Sequence, residues 1–464
     1  MTYYFSIIAN IAVILFCLDR IRARGFELGW RAPVLLVALL VPTWFETRIG
    51  AFLLDPRVGV GLAVCACFFL KPVLETPRFR IFPSDILLIV LLCSMGLSDL
   101  FAQQFSPLLW VGYVFRWGIP YFLGRILLTR IDNLRECLSI LIPVGVTLSL
   151  LAFIEGVTQF NFWELTASRS YRELEPIRWG LKRANMNQTH AIYFGVTLVG
   201  LLPWMLEGAR WARQGWGPRW WSFAPWLMIP GIIATGSRSA QILGLVVVTA
   251  NIFWQFPRIR VALLTAFITA GLTFLAFRSE ILTLLSQYAG EVDAVKAPVT
   301  IRGKSYPYSG TLHRDLLSTV YEEAIEKRGW WGYGGERIDM PRDPDIDERF
   351  ISIDDHYLMF SLQFGIVGII LFALFTLAGL GNMVALLIRG GGIYSGLICT
   401  LFGYTFGMLL VFRGVWFAHD YAWFWLFSLG IGAGILSKRL TDPLQFTGTF
   451  VPISPNSYAQ TLVS

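Results

Sequence analysis

What most limits this chain is a series of apolar runs, each near or above the length that crosses a hydrocarbon layer, separated by short polar turns. The runs fall at about residues 3–18, 33–54, 57–73, 84–102, 106–128, 136–155, 188–206, 222–235, 238–255, 261–279, 356–380, 393–413 and 418–437. A bilayer core of about 30 Å is spanned by roughly 20 helical residues, and inside it each backbone N–H and C=O must be satisfied without water. Helices meet that demand locally, so the expectation is an all-α polytopic membrane protein with about 12–14 transmembrane helices. The run at 222–235, which holds Pro225 and Pro230, is the one most prone to break. Composition agrees: 55% of the 464 residues are hydrophobic, 15% are charged and the mean hydropathy is +0.59, whereas soluble domains carry about 25% charged residues. An ordinary cytosolic protein is excluded.

The formal net charge of +7 would raise the question of nucleic acid in a soluble chain. Here the basic residues sit in short loops between apolar runs, with no like-charged tail, and no nucleic-acid partner is expected. Arg20, Arg22, Arg24, Arg31, Lys71, Arg78, Arg80, Arg125, Arg130, Arg135, Arg210, Arg213, Arg219, Arg258, Arg260, Arg389, Lys438 and Arg439 fall in one set of loops, against Arg48, Arg57, Arg238 and Arg413 in the other. Eighteen against four makes the first set cytoplasmic by the positive-inside rule, with the C-terminus inside. The first run has no basic residue before it and no small-residue cleavage signal after it, so it reads as a retained helix. The six cysteines lie in apolar segments without metal-ligand spacing.

Two longer polar segments, about 156–187 and 280–353, then face the same outer side. The organisation is a transmembrane bundle over 1–279 with outer segment 156–187, a large periplasmic loop over 280–355, C-terminal transmembrane helices over 356–437 and a cytoplasmic tail over 438–464. The large loop carries 13 of the 31 acidic residues up to Glu348, and a long loop on a tight bundle is usually functional. Within it, Leu312, Leu316, Val320, Ala324 and Ile325 recur at helical spacing before Gly329, which predicts an amphipathic helix over about 311–328. An aromatic WWGYGGE stretch and a Pro-rich MPRDPD loop follow.

Four places could carry chemistry. Arg238 lies in ATGSRSAQ, where a Gly/Ser turn, a helix N-terminus and a guanidinium together make a phosphate site or, equally simply, a lipid-headgroup contact. Arg178, Lys182 and Arg183 precede Asn185, Asn187, Gln188, Thr189 and His190, a polar helix entrance that reads as headgroup contact with N-capping or as a sugar-diphosphate surface. Arg116 is mid-helix in WVGYVFRWGIP and is functional or paired, with Glu46 and Glu155 as candidate mates. Finally, Asp354-Asp355-His356-Tyr357 opens the helix beginning near 356 and supplies either an acceptor base or a helix cap. Walker A, HExxH and GxSxG motifs are absent, which disfavours ATP-driven transport and zinc proteolysis.

In their order along 178–372, RWGLKRANMNQTHA, ATGSRSAQILGL, HRDLLSTVYEEAIEKRGWWGYGGE and DDHYLMFSLQFGIVGIILF resemble the O-antigen ligase and O-antigen polymerase superfamily of bacterial envelope glycosyltransferases. The resemblance implies a GT-C-like architecture and a metal-independent, inverting transfer at the periplasmic face of the inner membrane. It also implies an undecaprenyl-diphosphate-linked glycan donor, a glycan acceptor, contact with membrane lipids, a possible chain-length regulator as partner, and no cofactor. By the same resemblance Arg183 or Arg178 would hold the diphosphate with Arg238, Asn187 would line the substrate, Arg314 would contribute from the loop, and Asp354, His356 and Tyr357 would meet the acceptor. Ligases generally carry histidine three residues before the Tyr-Leu pair, where this chain has Asp354, and an acidic residue where it has Gln363. Polymerases more often resemble the Asp-led version. A polymerase is therefore expected, with a ligase acting on lipid A core or protein as the near alternative and a secondary transporter or flippase of an anion as the distant one.

Overall fold

The computed structural model describes residues 2–50, 52–70, 80–128, 130–167, 177–277, 280, 281, 284, 296–301, 303–308, 313–337, 340, 350, 353–390, 392–415 and 419–441. The MPRDPD loop after Met340, the first residues of the expected loop helix and the C-terminal tail lie outside the described residues. The described residues are 77% helical, and the protein is an all-α polytopic membrane protein. Among the described residues, six helices are long and apolar enough to cross a bilayer: Tyr4–Arg24, Pro83–Phe101, Ile131–Thr158, Ala191–Arg213, His356–Ile388 and Gly392–Val411. Arg238–Gln255 and Pro257–Thr273 make a seventh if the pair, bent by 114° at Pro257, counts as one span.

Among the described residues this is fewer than the apolar runs suggest, for local reasons. The run at 33–54 is helical only over Arg31–Leu40. Pro42 has no N–H with which to continue it, and the Asn187 Nδ2 group caps the last turn by donating to the carbonyls of Leu39 (2.8 Å) and Val41 (3.4 Å). The chain then folds into an antiparallel hairpin, Thr47–Ile49 with Phe52–Leu54. Ten helical residues rise only about 15 Å, half a hydrocarbon core. The run at 222–235 is divided by its prolines into Arg219–Phe223, Ala224–Leu227 and Ile229–Ala234. The run at 106–128 stays helical through Pro107–Tyr113, a π-turn at Val114–Gly118 and Ile119–Leu127.

The helices pack so that their polar connections gather at two ends. At one end lie the starts of the Pro56, Ala191, Arg238 and His356 helices, capped by Asp55, His190, Ser237 and Asp355, whose side chains accept from Val58, Ile192, Ala240 and Leu358 N. The opposite end is closed by largely buried ion pairs, two between segments and one within the Ala191 helix. Arg31 meets Glu136 at 2.9 Å, Arg125 meets Asp85 at 3.1 Å, and Arg210 pairs with Glu207. Close crossings leave no room for side chains. A Cβ on Gly124 would lie 2.1 Å from the Phe427 carbonyl, and one on Gly430 would lie 2.0 Å from that of Tyr121. These two glycines let the Ile119 and His419 helices run side by side.

The segment after 295 begins with a hairpin, Lys296–Ile301 with Lys304–Tyr308, that periodicity did not suggest. The expected single amphipathic helix is two, His313–Val320 and Glu322–Lys327, broken at Tyr321. Its buried stripe is Leu317, Tyr321 and Ala324, with Leu316, Val320 and Ile325 at the margin. These residues share a small core with Tyr333, Phe350 and the first turns of the His356 helix, so the segment is seated on the bundle and not tethered beside it.

A close crossing also holds WWGYGGE. The His356 helix is interrupted at Gly365, whose φ is 65°, and the interruption frees backbone groups that residues 329–334 take up. Tyr333 N donates to Leu362 O (2.8 Å), Gly334 N to Gln363 O (2.9 Å) and Ile366 N to Gly329 O (2.8 Å). Non-helical backbone is tolerated within a membrane protein only when satisfied in this way.

Candidate functional site

The site is built on the turn Thr235-Gly236-Ser237, between the Ile229 and Arg238 helices. Gly236 has a φ of 58°, in the left-handed region that a side chain disfavours. A Cβ there would sit 3.0 Å from Arg183 Cγ and 3.5 Å from Arg178 Cβ. The two arginines therefore pack directly onto the turn. Arg178 Nη1 donates to the Gly236 carbonyl at 3.0 Å, and Arg183 Nε donates to the Thr235 carbonyl at 3.1 Å. Arg183 is buried, Arg178 half-buried, and Arg238 is exposed two residues beyond Gly236, as the first residue of its helix. Arg178 and Arg183 thus pack on the turn whose capped helix N-terminus carries Arg238, an arrangement suited to a phosphate or diphosphate.

The polar stretch at 185–190 serves that turn indirectly. Asn187 is 1% exposed, and its amide is engaged with the end of the Arg31 helix. Gln188 Nε2 donates to Thr197 Oγ1 (2.7 Å), and Asn185 Oδ1 accepts from Asn161 Nδ2 (3.1 Å). Lys182 is ion-paired with Glu164 at 3.0 Å and Glu155 at 3.4 Å, so Glu155 belongs to this strap and not to Arg116. Around Asn187 the geometry is that of a strap folded to carry Arg178 and Arg183. It does not place the Asn187 amide on an open surface where a sugar could reach it.

The second cluster lies at the start of the His356 helix. Asp355 Oδ1 caps Leu358 N at 3.1 Å, and Oδ2 faces Arg413 Nη1 at 3.5 Å. Burial pushes the Asp355 carboxyl above its ordinary value, against the downward pull of the Leu358 N–H, Arg413 and Arg314. Arg413 also meets Asp315 at 3.5 Å, and the Arg314 guanidinium lies across Gly414, where a Cβ would come within 3.1 Å of its carbon. The loop helix is thereby fastened to the turn after the Ser395 helix.

His356 is 2% exposed. Its ring is enclosed by Phe360, Phe372 and Phe412 at centroid distances of 5.2, 5.2 and 5.1 Å. Tyr357 turns its hydroxyl inward to the Leu409 carbonyl at 2.7 Å. Asp354 is half-buried and sits before the helix begins. Of the two candidate acceptor bases, Asp354 has access from outside the bundle in this conformation, and His356 does not.

The two clusters share an end of the molecule. Gly407 of the Ser395 helix approaches Leu243 and Val246, and Gly403 approaches Val246 and Ala250, so the Ser395 and Arg238 helices run antiparallel. The start of one, at Arg238, therefore lies beside the finish of the other, near Arg413. Arginines able to hold an anionic leaving group stand on the same face as a carboxylate able to take a proton.

Two charged residues that hold distant segments together were not singled out from sequence. Arg413 entered only as a topological charge, and what distinguishes it is a basic residue closing an apolar run. Asp99 is buried at the end of the Pro83 helix and accepts from Gly335 N at 2.7 Å. A lone carboxylate in SMGLSDLF was the available signal, but its partner is 236 residues away. Among the described residues no three His, Cys, Asp or Glu side chains gather as a metal site would require. No family model matches the chain, and no curated protein matches it.

Proposed function

We propose that the protein is a multi-pass glycosyltransferase of bacterial inner membranes, a polymerase joining undecaprenyl-diphosphate-linked glycan units into O-antigen or exopolysaccharide at the periplasmic face. The observation that supports this reading most is the packing of Arg178 and Arg183 on the turn that leads into Arg238. In the proposed reaction an acceptor hydroxyl attacks the anomeric carbon from the face opposite the diphosphate. The bond from that carbon to the diphosphate oxygen breaks with inversion, and the oxygen leaves with the electron pair. The hydroxyl proton passes to Asp354. A departing diphosphate needs fixed positive charge more than a proton donor, and guanidinium groups set in place beforehand supply it without reorganisation. Arg314 is assigned to the acceptor side, where it is held across Gly414.

Analysis of lipid-linked intermediates, surface polysaccharide and lipid A core in a deletion strain tests the reading. Single repeat units accumulating without long polymer are expected. Long polymer stranded on the carrier with bare acceptor would make the protein a ligase, and an unchanged profile in all three pools would favour a transporter. In complementation, Arg238→Ala should reduce product by about 10²- to 10³-fold, the usual cost of one preorganised charge-stabilising donor, with membrane levels unchanged because Arg238 is exposed. Asp354→Asn should be comparably severe. Near-normal polymer from well-expressed Arg238→Ala would remove the arginine turn from the mechanism.

A further inference from the structure

At the end of the bundle that holds the Arg31, Arg125 and Arg210 ion pairs, the Ala191 helix stops before Gly215, whose φ is 77°. Gly215 N donates to the Ala212 carbonyl at 3.1 Å and Trp216 N to that of Trp211 at 2.9 Å, the paired bonds with which a glycine ends a helix. The chain turns back through Pro218 into a 3-10 turn over Arg219–Phe223. Buried Trp221 pins that turn: a Cβ on Gly217 would lie 2.6 Å from its ring, and one on Gly208 would lie 3.6 Å away. With Trp221, Ala224 and Met228 buried against the bundle, Trp220, Phe223, Trp226, Ile229 and Ile233 are left outward, between 43% and 70% exposed. They recur every three or four residues and so form one stripe. It is aromatic near the end of the bundle and aliphatic further in.

Arg213 and Arg219 flank this turn, and both are exposed. Other arginines at this end are engaged: Arg210 pairs with Glu207, and Arg260 donates to the Phe253 and Trp254 carbonyls at 2.9 and 3.1 Å. Arg213 and Arg219 have no such partner among the described residues. No Asp or Glu occurs between Glu207 and Glu280, and Glu207 already accepts from Trp211 Nε1 at 2.8 Å as well as from Arg210. We propose that this face binds one anionic phospholipid of the adjoining leaflet. Arg213 and Arg219 hold its headgroup phosphate, and an acyl chain lies along Trp226, Ile229 and Ile233. An apolar stripe by itself needs only bulk lipid, but two unpaired guanidinium groups at its aromatic end, the depth at which headgroups and tryptophan meet, add a demand for negative charge. A zwitterionic headgroup brings an ammonium with its phosphate, and this segment offers no carboxylate to receive it. A soluble partner is disfavoured because the stripe continues to Ile229 and Ile233 within the apolar run. No step here uses the proposed function.

The test uses full-length protein in detergent with phosphatidylglycerol and phosphatidylcholine, and native mass spectrometry to count the lipids retained. The double variant Arg213→Gln, Arg219→Gln should keep one phosphatidylglycerol fewer than the wild type, its affinity at this face reduced by roughly 30-fold for two surface arginines. Phosphatidylcholine retention should not change. The double variant Arg213→Lys, Arg219→Lys keeps the charge and should keep the lipid. Both arginines are exposed, so the three melting curves should agree. A phosphatidylglycerol carrying a diazirine in its acyl chain locates the site: peptides covering 219–233 should carry adducts in the wild type and the lysine variant and lose them in the glutamine variant. Equal phosphatidylglycerol retention in the wild type and the glutamine variant would overturn the inference, as would adducts that miss 219–233 or phosphatidylcholine held equally well at this face. Missing adducts together with a dimer in the mass spectrum would assign the stripe to a second copy of the chain instead.

Discussion

At the start of the His356 helix, Asp355 combines a cap, which favours its carboxylate, with burial, which opposes ionisation. The net shift is upward. A carboxyl with a raised pKa in the folded state binds more protons folded than unfolded, so its contribution to stability is largest at low pH and is lost as pH rises from its unfolded to its folded pKa. Asp355→Asn keeps an oxygen for Leu358 N without the charge. Its melting temperature at pH 7 should equal or exceed that of the wild type, and the difference should shrink towards pH 4. Asp355→Ala removes the cap and should lose about 1 kcal/mol at either pH. Thermal melts of the three proteins at both values check this, and Asp355→Asn melting well below wild type at pH 7 would mean that the Arg413 pairing outweighs burial. His356, one residue on, was an equal candidate for the base in sequence. Its ring is packed among phenylalanines because it lies on the inward face of the first turn, a placement that no spacing rule reveals.

The element that most depends on its neighbours is the interrupted His356 helix. Its apolar run gives no sign of a break at Gly365, since glycine is common in membrane helices. The interruption exists because residues 329–334 approach closely enough to exchange backbone hydrogen bonds. A Cβ on Gly365 would lie 2.2 Å from the Trp330 carbonyl, and one on Gly332 would lie 2.5 Å from that of Gln363. Both glycines also have positive φ. Gly365→Ala and Gly332→Ala should each undock the WWGYGGE stretch, which protease sensitivity of the 296–355 segment would report, whereas Gly381→Ala, with nothing within 4 Å, should behave as wild type. Equal protease resistance in all three would show that the crossing can shift to admit a methyl group. The same logic explains the split loop helix: periodicity located the amphipathic stretch, but the buried stripe runs through Leu317 and Tyr321, because the packing against Tyr333 and Phe350 selects that face.

Across the whole molecule, arginines meet carboxylates at both ends, Arg413 with Asp315 and Asp355 at the end that carries the Arg238 turn. Arg31, Arg125 and Arg210 meet carboxylates at one end. At the other, Arg178 and Arg183 donate to carbonyls of the turn that leads into Arg238. The first end reads as a lock, and the second is where the proposed function puts the anion. The positive-inside count predicts a cytoplasmic lock, and labelling with a membrane-impermeant maleimide tests it in a cysteine-free background. Ile177→Cys, at a position 63% exposed beside Arg178, should react in intact spheroplasts. Gln214→Cys, exposed after the Ala191 helix, should react only after permeabilisation. The reverse pattern would invert the molecule and place the arginine turn in the cytoplasm.

Membrane residence, helical class and the chemical character of the polar stretches were legible in the residues themselves, because hydrophobicity and charge are local quantities and a bilayer filters them by length. The Arg238 turn stood out for the same reason: glycine, serine and arginine at an apolar boundary are informative without knowing their neighbours. How many apolar runs form complete spans was decided by contacts between distant segments, such as the Asn187 amide closing the Arg31 helix. The company kept by each arginine was decided likewise. Arg178 and Arg183 reach Gly236 across more than 50 residues of chain, and Trp423 joins Arg116 across some 300. Sequence spacing carries no information over such separations, and only helix packing brings these side chains to one end of the bundle.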